Sequence, residues 1–409
     1  MTNFVKKKAM DLSLEFGKEL LLAGIITAVF SFVVIPVIRI VVLKLNMGIA
    51  PNQRSSHQNV TPGFGGVSFY LVFILLLIAY GFTSNGINFH LVISLSIVFF
   101  TGFLDDLYEL PPKLKIAGII AASLVLVQQG DMFITSLHGF MGIYELPYFI
   151  AFGFNLLLIL FIVNAYNLID GIDGLSSIIG VSAFAVCLVY GLRINSFELS
   201  LLAVIGMFSL LSFLPFNFSE KKKIFMGDTG SLFIGFVLSL FIIHVFSQGM
   251  PVLLKDGISV DQTPFIALSI VFIPLFDTIR VMAVRLYAKR GIFSPDRNHI
   301  HHILVDRGLT HKVSAIIIGS LNLISCLGVY FLATKLSFYG LLLGFSFWVL
   351  IVWVVLFELN RAHQNMRLKI KVRNFLYRIY KRTKSILTST VPSQVDFNQK
   401  LKAVRNFMF

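Results

Sequence analysis

Residues 146–175 read LPYFIAFGFNLLLILFIVNAYNLIDGIDGL. From Leu146 to Val163 this is an apolar run of membrane-crossing length, since a helix needs about 20 such residues to span a hydrocarbon core of ~30 Å. Polar sequence follows at once, with Asn164, Asn167, Asp170 and Asp173 at steps of three. Residues three apart share one helix face. Carboxylates are costly in hydrocarbon, so a row of amides and acids at a membrane border marks a functional site. A helix end capped by polar groups and stopped by Gly171 and Gly174 explains one of these residues but not four in a row.

The rest of the chain repeats that run. Its 409 residues are 56% apolar and 13% charged, with a mean hydropathy of +0.85, which excludes an ordinary soluble domain. Further apolar runs lie near Leu20 to Leu43, Gly65 to Phe82, Phe89 to Leu104, Lys115 to Val127 and Leu175 to Leu192. Others lie near Leu199 to Phe216, Ser231 to Phe246, Phe265 to Val284, Val313 to Ala333 and Phe338 to Phe357, which makes eleven, with Lys115 to Val127 the weakest. The expected fold is an all-α integral membrane protein, a polytopic bundle of about eleven transmembrane helices.

An odd number of spans puts the termini on opposite sides, and the distribution of Lys and Arg then says which side is cytoplasmic. Even-numbered gaps hold only Arg193, Lys255 and Lys335, whereas the others hold Arg54, Lys113, Lys221 to Lys223 and a dense set from Arg285 to Lys312. Beyond Asn360 the tail adds twelve basic residues against one acid, Asp396, so the tail and the basic loops are placed in the cytoplasm. Lys6, Lys7, Lys8 and Lys18 dissent, lying outside under this topology with Asp11, Glu15 and Glu19 beside them. The chain thus divides into a polar N-terminal tail (1–19), a membrane domain (20–358) and a basic cytoplasmic tail (359–409). In that tail VRNFLYRIYKR interleaves basic and apolar residues like a helix lying on an anionic membrane surface. Nothing else supports nucleic-acid binding, so the net charge of +14 points to the lipid bilayer as partner and not to nucleic acid. Cys187 and Cys326 fall inside apolar runs and give neither a disulfide framework nor a thiolate metal site. No cleavable signal, fixed-period repeat or low-complexity linker is evident.

The acids at the ends of these runs fall on one side. Asp105 and Asp106 end the third run in GFLDDLYELPPKLK, and Asp228 opens the eighth in FMGDTGSLFIGF. Asp277 lies in the inner half of the ninth in PLFDTIR, and SPDRNHIHH, Ser294 to His302, occupies the next loop. All lie on the face assigned to the cytoplasm from basic residues alone, so the expected active site faces the cytoplasm. The adjacent carboxylates Asp105 and Asp106 need water, a cation or a lysine close by, which Lys113 and Lys115 can supply. In GDTGS, Gly227 and Gly230 allow close backbone approach, and the amides opening a helix favour anionic oxygens, as in a phosphate site. With Asn167 nearby, Asp228 is a candidate ligand for a hard ion such as Mg2+. His299, His301 and His302, beside Arg297 and Lys289 or Arg290, suit phosphate better than zinc, since no cysteine accompanies them.

This set matches phosphoryl transfer between a soluble nucleotide-linked donor and a lipid phosphate. A secondary transporter is the rival class. Transporters, however, set their key acids near the midplane in paired halves, whereas here the acids gather at one face and no halves repeat.

From Asn52 to Leu304 the chain resembles the polyprenyl-phosphate N-acetylhexosamine-1-phosphate transferases, the glycosyltransferase 4 family. The resemblance rests on NQRSSHQNVTPGFGG, FLDDLYELPPKLK, NAYNLIDGIDGL, FMGDTGSL, PLFDT and PDRNHIHH in the family's order. It implies transfer of a sugar-1-phosphate from a UDP-sugar to undecaprenyl phosphate, with release of UMP, at a bacterial inner membrane. It further implies Asn167 and Asp228 as Mg2+ ligands, Mn2+ being a second candidate, and Asp105 and Asp106 as groups that orient or deprotonate the lipid phosphate. Asn164, Asp170 and Asp173 resemble the nucleoside-side contacts, and His299, His301, His302 and Arg297 the diphosphate and sugar side, with His301 and His302 among the catalytic groups. The PDRNHIHH form is similar to the branch that uses UDP-N-acetylglucosamine and departs from the three consecutive histidines of the branch using UDP-N-acetylmuramoyl-pentapeptide. A homodimer is a candidate assembly.

Overall fold

The computed structural model describes residues 2–45, 47–49, 61–83, 86–129, 132–291, 297–359 and 361. The stretch from Asn52 to Val60, residues 294–296 of the histidine motif and the VRNFLYRIYKR segment lie outside the described residues. The chain forms two compact units, residues 1–349 and 350–409, and in the second unit the described residues are helical.

Eight helices among the described residues are long and apolar enough to cross a membrane. They are α1 (Thr2–Lys44, spanning from Phe16), α3 (Phe89–Tyr108), α5 (Tyr148–Ile169), α6 (Leu175–Arg193), α7 (Phe197–Asn217), α8 (Gly227–Gln248), α13 (His311–Ala333) and α14 (Phe338–Leu359). The chain is therefore an all-α polytopic membrane protein. Helices α2 (Gly66–Thr83) and α4 (Pro112–Leu126) occupy two further expected runs. The 15 residues of α4 rise only about 22 Å, less than the ~30 Å hydrocarbon core.

Two small antiparallel sheets depart from the purely helical expectation: β1 (Gly48–Ile49) pairs with β2 (Thr61–Pro62), and β3 (Ser136–Phe140) with β4 (Ile143–Glu145). The β3–β4 hairpin turns on Met141 and Gly142, both at positive φ, 52° and 80°, as a two-residue hairpin turn requires. Strands this short show no alternation that a sequence reading can register.

Helix α8 is the packing centre. Of its span, 94% is buried inside the protein, against 28% for α1, which suits a helix apolar on every face. At its first turn a Cβ on Gly66 would stand 2.1 Å from the Gly230 amide nitrogen, and one on Gly102 would stand 2.6 Å from the Asp228 carbonyl. Helices α2, α3 and α8 thus meet backbone to backbone where the acids lie.

The ninth apolar run is broken. A 3-10 turn (Val260–Gln262) and α10 (Thr263–Ser269) meet α11 (Phe272–Tyr287) at 83°. Pro274 has no N–H for the Ile270 carbonyl one turn back, and backbone groups within a bilayer need a partner. Asn322 of α13 supplies it. Its Nδ2 donates to the Ile270 carbonyl at 3.0 Å, and its Oδ1 accepts the Ile273 N–H at 3.0 Å. Asn322→Leu strands both groups, at a cost of about 2–6 kcal/mol for the two, and a lowered melting temperature in detergent is the expected readout; an unchanged one would mean that the break does not depend on Asn322.

Candidate active site

The end of α3 is shaped by its exit. Glu109 takes a left-handed φ of 49°, Pro111 is extended, and Pro112 opens α4, which doubles back with Lys115 in its first turn. Asp105 accepts the Leu110 N–H at 2.8 Å and meets the Lys115 ammonium at 2.6 Å. The same ammonium lies 2.6 Å from Asp228. Lys113 is exposed, so of the two lysines only Lys115 bridges the acids.

Asp106 points elsewhere. Its carboxylate accepts the N–H groups of Asp228 (2.8 Å) and Thr229 (2.9 Å) and the Thr229 hydroxyl. The amides opening α8, expected from sequence to face a phosphate, are here capped by a carboxylate of the protein itself, the charge a helix N-terminus favours. Gly227, at φ 74°, is required for this contact, because a Cβ there would stand 2.4 Å from Asp106 Oδ2. Asn167 donates to Asp228 Oδ1 at 2.9 Å and to the Ser231 hydroxyl at 2.8 Å. One carboxylate oxygen each from Asp105, Asp106 and Asp228 lies within 4.8 Å of the others. Three carboxyl groups, two of them meeting one ammonium, offer the donor set of a hard divalent cation.

The row from Asn164 to Asp173 does not continue on one helix face, because α5 ends at Ile169 and Asp170 is its cap. Gly174, at φ 75°, turns the chain into α6, and no two of the four side chains share a partner. Asn164 donates back to the Leu160 carbonyl at 2.7 Å and does not join the acids. Asp170 accepts the Ser176 hydroxyl at 2.6 Å. Burial, with the charges of Asp228 and Asp106 behind it, pushes its carboxyl up to about 7 in spite of that bond. Asp173 meets Lys223 at 2.7 Å and His311 at 3.0 Å. Burial works to raise its carboxyl, but those two partners hold it below the usual range.

A second cluster anchors the histidines. Asp277, fully buried, meets Arg280 at 2.6 Å and His299 Nδ1 at 2.9 Å, and it also accepts the Ile300 N–H that opens α12 (Ile300–Val305). The rings of His299 and His301 stack at 5.7 Å. His301 is buried with Nδ1 unpartnered among the described residues, and its Nε2 faces Gly171, where a Cβ would stand 2.1 Å away. Burial, with His302 adding to it, pushes His301 down to about 3, so its ring is neutral at pH 7. Burial and then the Arg297 charge lower His302 as well. Arg297 itself is exposed and pairs with Asp306 at 2.9 Å.

The structure thus brings Asp105, Asp106, Asn167 and Asp228 together. It sets Asp170 close to them, ties His301 to the Gly171 turn, and leaves Asn164 and Arg297 on other partners. Sequence reading missed Thr229, Ser231, Arg280 and His311, and it read Lys223 only as a topology signal. An isolated histidine at the start of a helix carries no pattern. Arg280, three residues after Asp277, was the one with a local cue.

Fold and site together define a polytopic membrane protein with a carboxylate centre at one end of its helices. Residues 88–246, which contain that centre, match the model of glycosyl transferase family 4. A probable undecaprenyl-phosphate N-acetylglucosaminyl 1-phosphate transferase of Bacillus subtilis is 31% identical over 307 residues, covering 73% of this chain and 81% of that protein. A decaprenyl-phosphate N-acetylglucosaminephosphotransferase of Mycobacterium tuberculosis is 30% identical, covering 74% and 79%. The undecaprenyl-phosphate alpha-N-acetylglucosaminyl 1-phosphate transferase of Escherichia coli K12 is 27% identical, covering 75% and 80%. The chain belongs to glycosyl transferase family 4.

Proposed function

We propose that this protein transfers N-acetylglucosamine-1-phosphate from UDP-N-acetylglucosamine to undecaprenyl phosphate, starting cell-envelope polysaccharide synthesis. An oxygen of the lipid phosphate attacks the sugar-bearing phosphorus, the bond to the bridging oxygen breaks, and UMP leaves. The observation that carries this reading is the convergence of Asp105, Asp106 and Asp228 within 4.8 Å, with Lys115 between two of them. An apolar groove of about 550 Å3 lined by Phe100, Leu104, Leu110 and Leu114 runs beside Asp105, as an acceptor with a hydrocarbon tail would need.

The carboxylate oxygens, with Asn167 bonded to Asp228, suit Mg2+ or Mn2+. A bound Mg2+ would neutralise charge on the donor diphosphate. Lys115 is placed to attract the acceptor phosphate, and Asp105 to orient it. A lipid phosphate is already largely ionised near neutral pH, so positioning ranks above base catalysis for Asp105 and Asp106. Asp170 and Asp173 are assigned to the nucleoside side and His299, His301 and His302 to the diphosphate and sugar.

We further assign eleven spans, counting α2, α4 and the bent α10–α11 pair, with the basic tail and the acids on the cytoplasmic side of a bacterial inner membrane. The test is transfer of label from UDP-N-acetylglucosamine to undecaprenyl phosphate by the purified protein, with UMP release followed. Labelled lipid is expected with Mg2+ and none after chelation. Equal product in both would remove the metal from the reaction, and no product from any UDP-hexosamine would return the transporter reading.

A further inference from the structure

At the end of α6, α8 and α13 remote from the acids lies a cavity of about 340 Å3. Helix α9 (Met250–Lys255) and the broken span close its other sides. Ala185, Leu253 and Ile270 are among its walls, and Ser269, one of its few polar lining residues, bonds to the Ile266 carbonyl. Val189 of α6 and Leu327 of α13 form its rim and are 57% and 55% exposed. In a membrane protein such apolar positions face lipid, so the cavity opens sideways into the bilayer.

An apolar space of this size stays dry, and left empty it deprives its lining of packing contacts. Hydrocarbon from the bilayer is what is available to fill it. The volume accommodates roughly ten methylene groups, taking each as near in size to a water of ~30 Å3. That suits part of one acyl chain and is too small to enclose a polyprenyl chain. At the outer end Arg193 donates to the Asp256 carboxylate and, at 2.8 Å, to the Tyr330 hydroxyl. Both Arg193 and Tyr330 line the cavity. Lys255 precedes Asp256, so a second cation adjoins the Arg193–Asp256 pair, with Asp261 five residues further along the chain.

We propose that the cavity binds one acyl chain of an anionic glycerophospholipid, with the phosphate held at Arg193 and Lys255. The test is native mass spectrometry of the full chain in detergent, titrated separately with phosphatidylglycerol and phosphatidylcholine, with thermal unfolding in parallel. The unaltered protein is expected to retain one phosphatidylglycerol in preference to phosphatidylcholine and to melt higher in its presence. Ala185→Phe fills the space with a ring and should weaken retention by about tenfold or more. Arg193→Gln should erase the preference between the two lipids. Should Ala185→Phe not fold, Leu327→Phe narrows the rim from a lipid-facing position and carries the same expectation. Retention in the ring variants equal to that of the unaltered protein, or no selective retention by the unaltered protein, overturns the site.

Discussion

Asp228→Asn should lower turnover of the transferase reaction by about a thousandfold, since the proposed hard-cation site would contribute several kcal/mol of charge stabilisation and each ~1.36 kcal/mol is a decade of rate. The substitution keeps the side chain's shape and one oxygen acceptor. Lys115 retains Asp105 at 2.6 Å, and Asp106 still caps the amides of residues 228 and 229. The fold should therefore survive, and the melting temperature should stay near that of the unaltered protein. What is lost is the charge of one of three carboxyl groups whose oxygens lie within 4.8 Å of one another, so any residual activity should need more Mg2+ to saturate. Label transfer across a Mg2+ titration, read beside thermal unfolding, checks both halves. Full turnover in a folded Asp228→Asn variant takes Asp228 out of the site. Asn167→Ala, which removes the donor to Asp228 Oδ1, should act in the same direction by a smaller factor.

Much of this centre was legible because charge at the end of an apolar run is expensive and therefore rare. Asp105, Asp106 and Asp228 stand out of their runs without any structure, and the positive-inside distribution puts them at one end. Side-chain direction was not legible. Asp170 and Asp173 keep the spacing of Asn164 and Asn167, but Asp170 already lies past the last helical residue, Ile169, so helix periodicity no longer applies to it. The choice between Lys113 and Lys115 depends on how far the Pro111–Pro112 turn rotates α4, which no spacing rule gives. The break in the ninth run was not legible: Phe265 to Val284 reads as one span, and Asn322, 48 residues from Pro274 in sequence, reads as one polar residue in an apolar helix. The phosphate reading of GDTGS recognised a real preference of those amides for an anion. Asp106, distant in sequence, is the anion that meets it.

Asp277→Ala should be the most destabilising single change in the histidine cluster. Asp277, Arg280 and His299 are 0%, 4% and 7% exposed, and removing one partner of such a buried pair leaves an uncompensated charge at a cost of about 3–5 kcal/mol. The same carboxylate accepts His299 Nδ1 and the Ile300 N–H, so its loss also frees the segment that carries His301 and His302. A lowered melting temperature and loss of label transfer are both expected, but by themselves they do not separate a fold defect from a site defect. The double variant Asp277→Leu with Arg280→Met does, because replacing a buried ion pair by apolar groups of similar volume is often neutral or stabilising. Its melting temperature should recover while turnover stays low, since nothing then holds His299 in place or caps α12. Recovered turnover in the double variant would assign the Asp277–Arg280 pair to the fold alone and leave the histidines independent of it.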